Sequence, residues 1–159
     1  ETFIHWSPRG AGAFDLCKNM PPSYPVVRDD ELWLYYNGNK ENSHYPETDD
    51  ENAAVHLAVL RRDGFVSLDA AVDEGTVVTK AFVKPAGDLW VNVDARSGFL
   101  VVEVLDGKGE VCARSVPIEG DYPRYKIAWQ KGNLADSDGQ VVQLRFILNE
   151  ASLYSYWAG

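Results

Sequence analysis

In QVVQLRFILN, residues 140–149, apolar side chains recur at every second position, so an extended chain puts Val142, Leu144, Phe146 and Leu148 on one side. Gln143, Arg145 and Asn149 take the other side, together with Val141 and Ile147. The same period of two returns along the chain between turn signals roughly ten residues apart, with almost no helical period anywhere. Strands are expected near 26–36, 54–60, 65–71, 76–84, 88–95, 98–105, 110–117, 122–129, 140–149 and 152–158. Asp63-Gly64, between LAVLRR and FVSLDA, and Asp106-Gly107, between VVEVL and EVCARSV, are expected to close hairpins. Such a set of short strands predicts an all-β chain folded as a two-sheet antiparallel β-sandwich, jelly-roll-like.

A length of 159 residues with 45% hydrophobic side chains suits one sizeable core, so residues 1–159 are expected to form a single domain. Its N-terminal part differs from the rest: Pro8, Pro21, Pro22 and Pro25 interrupt any alternation and predict extended wrapping rather than sheet interior. Residues 37–53, NGNKENSHYPETDDENA, read as a long exposed loop, the kind of segment that carries recognition. The aromatic run ahead of it, Leu32 to Tyr36, is apolar on both sides and is expected to be covered on both. A net charge of −9 repels a phosphate backbone, which argues against a nucleic-acid partner. No stretch approaches the roughly 18 apolar residues of a membrane span, and the start ETFIHWSPRG lacks the regions of an export signal. Any such signal is expected upstream or already removed. Cys17 and Cys112 match no metal or redox spacing, and both a single bridge and two free thiols stay open.

The pieces DELWLYYNG, HLAVLRRDGFVSLDA and GTVVTKAFV, followed by DLWVNVDARSGFLVVEVLDGKGE and VVQLRFILNEASLYSYW, resemble one known arrangement. It is the C-terminal region of bacterial proteins related to five-bladed β-propeller glycoside hydrolases, where the last blade runs into a β-sandwich. The resemblance covers roughly residues 24–158 and is most specific at LRRDGFVSLDA and LRFILNEASLYSYW. It implies that residues 1–62 are a propeller-blade-like remnant packed on a sandwich of residues 63–159 that resembles carbohydrate-binding modules. It also implies a secreted or periplasmic protein, with a propeller domain of a parent protein as a partner. The chain is too short to hold the earlier blades that would carry the propeller's catalytic acids.

Within the chain itself, glycoside hydrolysis would need two facing carboxyl groups. Asp29, Asp30, Glu31, Asp49, Asp50, Glu51, Asp94 and Glu103 qualify by type, but none stands above an acidic background. His5, His44 and His56 are dispersed, and Ser67 and Ser155 lack a nucleophile-elbow pattern. No catalytic residue is assigned, and the isolated chain is expected not to be an enzyme. Asp136-Ser137-Asp138-Gly139 begins like a calcium loop, and Glu47 to Asn52 is densely acidic, so a structural calcium competes there with a plain solvated turn. No cofactor is required.

In DLWVNVDA, Leu89, Val91, Val93 and Ala95 share the core side, which leaves Trp90, Asn92 and Asp94 outward. Were this strand to share a sheet with 140–149, Gln143 and Arg145 would join them. An aromatic plane beside amide, carboxylate and guanidinium groups is what a sugar ring asks for. Asn37, Asn39, His44 and Tyr45 of the long loop are a second candidate set. Carbohydrate is therefore the expected partner of a non-catalytic binding module. The alternatives are a structural accessory domain of a propeller glycoside hydrolase and a protein-interaction sandwich. The isolated chain should release no reducing ends from a panel of plant, algal and bacterial polysaccharides. Turnover abolished by changing one carboxylate to its amide would overturn that expectation.

Overall fold

The computed structural model describes residues 4–8, 12–20, 24–40, 52–132 and 134–159. The protein is all-β, and the chain divides into two compact units, Glu1–Arg62 and Asp63–Gly159. Among the described residues no helix is long and apolar enough to cross a membrane.

In the first unit, β1 (Lys18–Met20) and β2 (Val26–Arg28) pair side by side with one edge of β3 (Glu31–Asn39), and β4 (Ala53–Arg61) pairs with the other, all antiparallel. The expected strand 26–36 is thus a tight hairpin, turned at Asp29, whose φ of 53° is left-handed. Leu32, Leu34 and Tyr36 are buried on one face of β3. The opposite face is not covered as expected: Tyr35 is 45% exposed, and Leu57 and Val59 of β4 are exposed beside it. Arg28 lies over the Trp33 ring, 4.4 Å from its centre.

In the second unit, β5 (Leu68–Ala70), β6 (Gly75–Val78) and β7 (Phe82–Val83) are short. They are followed by β8 (Leu89–Leu105), β9 (Val111–Ser115), β10 (Ile118–Lys126) and β11 (Trp129–Lys131). A 3-10 turn, Leu134–Ser137, leads to β12 (Val141–Asn149) and β13 (Ala151–Ala158). The two strands expected at 88–95 and 98–105 are one, β8, which serves both sheets. Its first half lies between β10 and β13, with β5 beyond β13. Its second half lies between β9 and β12, with β11 beyond β9 and β6 beyond β12.

The alternation records how β8 turns from one sheet to the other. Leu89, Val91, Val93 and Ala95 face the core at odd positions, whereas Leu100, Val102 and Val104 face the same core at even positions. The slip is taken up between Ala95 and Leu100, where the opposing strand advances only from Gly120 to Ile118. The partner ribbon changes phase at the same level: Val142, Leu144, Phe146 and Leu148 are even, Ala151 and Leu153 are odd, and Glu150 between them has φ 42°. The double strand therefore folds over on itself and its two halves enclose one core as a two-sheet antiparallel sandwich. Phe146 and Tyr156, on β12 and β13, meet with ring centres 5.1 Å apart. Each fully buried Val, Leu or Phe of this core adds about 1.5–3 kcal/mol.

The Asp106 turn closes the β8–β9 hairpin as expected. Its carboxylate accepts the Lys108 and Glu110 amides at 2.8 and 2.9 Å. Those backbone donors, Glu110's first, hold its carboxyl below the usual value. Asp63-Gly64 closes no hairpin: β5 pairs with β13 instead of β4. A left-handed Asp63 (φ 56°) reverses the chain without choosing the strand's partner. Lys84, 3% exposed, donates to the carbonyls of Pro85 and Gly87 at 2.9 and 3.1 Å and pairs with Asp138, which ties the 3-10 turn to the edge of the sandwich. Both cysteines are free thiols.

At Gly98 a Cβ would stand 1.9 Å from the Asn149 carbonyl oxygen. Gly98→Ala should therefore destabilise the protein by about 3 kcal/mol or more, read as a lowered unfolding midpoint in urea. A midpoint equal to the parent's would show that the crossing is not tight.

Candidate functional site

The outward face of the sheet built on the first half of β8 is organised in rows across its strands. Because paired residues of an antiparallel ladder share a face, Lys126, Trp90 and Trp157 make one row on β10, β8 and β13. The next row holds Asn92 and Ser155. The third runs Asp121, Asp94, Ser152 and Asp69 across four strands. Successive rows are about 6.8 Å apart, two residues of extended chain.

Trp90 and Trp157 are half-buried, with rings parallel to within 6° and centres 6.3 Å apart. The Trp90 indole N–H donates to the Gly159 carbonyl at 3.2 Å, which fixes the ring's rotation. Ser155 Oγ donates to Asp63 at 2.9 Å. Arg96 clamps Asp94 through Nε and a terminal nitrogen at 2.9 and 2.6 Å and reaches within 3.9 Å of Asp121. The Asp94 hydrogen bonds, with its charge, raise the pKa of the exposed Arg96 guanidinium. Lys126 pairs with Asp88 at 2.6 Å.

Of the residues singled out in the sequence, Trp90, Asn92 and Asp94 do share this face. Asn92, however, is 1% exposed, so it is a buried polar floor rather than the solvent-facing group expected of it. Gln143 and Arg145 are not brought to these three. They pair with Leu105 and Glu103 in the second half of β8, and the fold-back at Gly98 sends the outward faces of the two halves in opposite directions. Both are occupied there. Gln143 donates to the Thr79 carbonyl at 2.9 Å, and Arg145 and Arg114 flank Glu103, only 2% exposed, as a cross-strand ladder.

Asn37 and Asn39 lie on strand β3, opposite Val55 and Ala53, not in a loop. Strand β3 continues past the aromatic run because β1 and β4 supply partners for it. Asn37 is exposed, and Asn39 Oδ1 is buried with no hydrogen-bond partner among the described residues. His44 and Tyr45, like Asp49, Asp50 and Glu51, lie outside the described residues. The Asp136–Gly139 turn spends Asp138 on the Lys84 ammonium. Among the described residues no three His, Cys, Asp or Glu side chains are grouped to hold a metal ion.

Trp157 was not singled out in the sequence, and Ser155 was weighed there only as a nucleophile and set aside. Their signal was present, since LYSYW alternates, but the irregular pairing between Leu153 and Ser155 shifts its phase and hides which residues face outward. A second unforeseen constellation lies in the first unit. Asp15, 5% exposed, sits against Gly38, where a Cβ would come within 2.7 Å of its own. It accepts from the Ser7 side chain and, at 3.0 Å, from the Tyr36 hydroxyl, while His56 stacks on Tyr36 with ring centres 5.0 Å apart. The Ser7 hydroxyl is spent on a carboxylate, not on an imidazole, so this is no nucleophile pair.

Hydrogen bonding from Ser7 outweighs burial and holds the Asp15 carboxyl below its usual value, and burial, followed by Asp15 itself, raises the Tyr36 phenol. A lowered folded-state pKa means that Asp15 stabilises fully above the unfolded carboxyl value of about 3.9 and loses that contribution as pH falls through the folded one. Asp15→Asn should flatten the acid limb of stability below about pH 4, measured by urea unfolding across pH. An unchanged acid limb would remove Asp15 from that role.

No protein-family model, curated protein or solved structure matches the chain.

Proposed function

We propose that the protein is a non-catalytic carbohydrate-binding module whose binding face is the outward side of the sheet formed by β10, the first half of β8, β13 and β5. The observation that carries the reading is the parallel pair Trp90 and Trp157, set in a face otherwise made of hydroxyl, amide and charged groups. Pyranose rings have an apolar C–H face that an indole covers, and an equatorial rim of hydroxyls that carboxylates, serine and guanidinium meet with directed hydrogen bonds. The rows beyond the indoles, Ser155 and then Asp94 with Arg96, supply acceptors and donors in the same direction.

We assign no hydrolytic role to the carboxylates described on this face. Asp94 and Asp121 are direct neighbours across β8 and β10, but Arg96 lies on both and holds Asp94 in a two-pronged ion pair.

Trp157→Ala should weaken polysaccharide binding by about tenfold or more in isothermal titration, with no loss of the cooperative thermal transition, because the ring lies outside the core. Undiminished affinity in this variant, or a parent chain that binds no polysaccharide, would overturn the assignment.

A further inference from the structure

The charges around the two indoles specify the ligand further. Asp88 lies beside Lys126, Asp63 holds Ser155, and Asp121, Asp94 and Asp69 occupy one row across the sheet. The cations among them are engaged: Lys126 with Asp88, and Arg96 with Asp94 and Asp121. Arg124, in the irregular stretch of β10 between Tyr122 and Tyr125, also has a partner of its own. Each of these ion pairs cancels a carboxylate as well as a cation, so among the described residues Asp63, Asp69 and Asp121 stand against Arg124 and leave the face acidic, on a chain of net charge −9.

We infer that the glycan taken by this face is electrically neutral and that chains bearing uronate or sulfate groups are rejected. The inference rests on the carbohydrate-binding reading and names the class of sugar it admits. A carboxylate or sulfate laid along the rows meets that acidic surplus, Asp63, Asp69 and Asp121, while the cations described on the face already have partners, and like charges brought together at an interface discriminate strongly against the wrong partner. A neutral hydroxyl meets the same carboxylates as a donor. Its O–H bonds to an ionised acceptor are among the stronger hydrogen bonds available to a sugar. The carboxylates that exclude an anionic glycan therefore orient a neutral one. Its axis follows β8, with one ring on the indoles and the next over Ser155 and Asp94.

The 159-residue chain is to be titrated calorimetrically with a neutral panel (xylan, xyloglucan, galactomannan, laminarin) and an anionic one (de-esterified homogalacturonan, alginate, carrageenan). A carboxymethylated derivative of the tightest neutral binder follows. The tightest ligand should be neutral and insensitive to added salt, with carboxymethylation lowering affinity by about tenfold or more. The double variant Asp69→Lys with Asp121→Lys should recover part of that loss. A tightest ligand from the anionic panel, or no recovery in the double variant, overturns the neutrality inference and leaves the carbohydrate reading standing. Failure of both panels overturns both.

Discussion

At Gly98 the backbone of β8 passes so close to the Asn149 carbonyl that no side chain fits between them, and every larger feature of the second unit follows from that crossing. A seventeen-residue strand cannot contribute to one flat sheet and also bury an alternating face against itself. By slipping one residue of phase between Ala95 and Leu100, β8 turns a single apolar stripe inward twice. The β12–β13 ribbon does the same at Glu150, so the fold-back is made by two adjacent strands in step.

The fold-back also sorts the polar residues. On the second half of β8, Glu103 is buried between Arg114 and Arg145. Removing a carboxylate from between two guanidinium groups leaves charge uncompensated, so this ladder serves pairing and register on its sheet more than recognition. On the first half, the outward residues end in indoles, a serine and a row of aspartates. Two faces with similar composition thus differ, one spent on its own ion pairs and the other the face we propose for ligand binding. In the first unit the exposed side of β3 and β4 is apolar instead, with Tyr35, Val55, Leu57 and Val59 in register.

The elements were largely legible in the sequence, because a period of two survives wherever a strand has one covered face. Leu89, Val91, Val93 and Ala95 were correctly read as core, as were Val142, Leu144, Phe146 and Leu148. The failures occurred where a local pattern has no knowledge of its partner. The Asp63-Gly64 turn was read as a hairpin because turn chemistry specifies reversal alone, and β5 found its neighbour in β13, some eighty residues on in the chain. Asn37 and Asn39 were read as loop because their polarity masks the pairing that β1 and β4 impose.

What the sequence determined by itself was therefore the class of structure and the inward residues, since alternation is a property of neighbouring residues along one strand. Tertiary structure decided which outward residues meet. Trp90 and Trp157 are 67 positions apart and share a row only because β13 lies against β8 in one register. Trp90 and Arg145 share the right parity yet are separated by the fold-back at Gly98. Parity is local, but adjacency on a face depends on register and on where a strand bends, and both are fixed by close contacts between segments that the sequence does not place side by side.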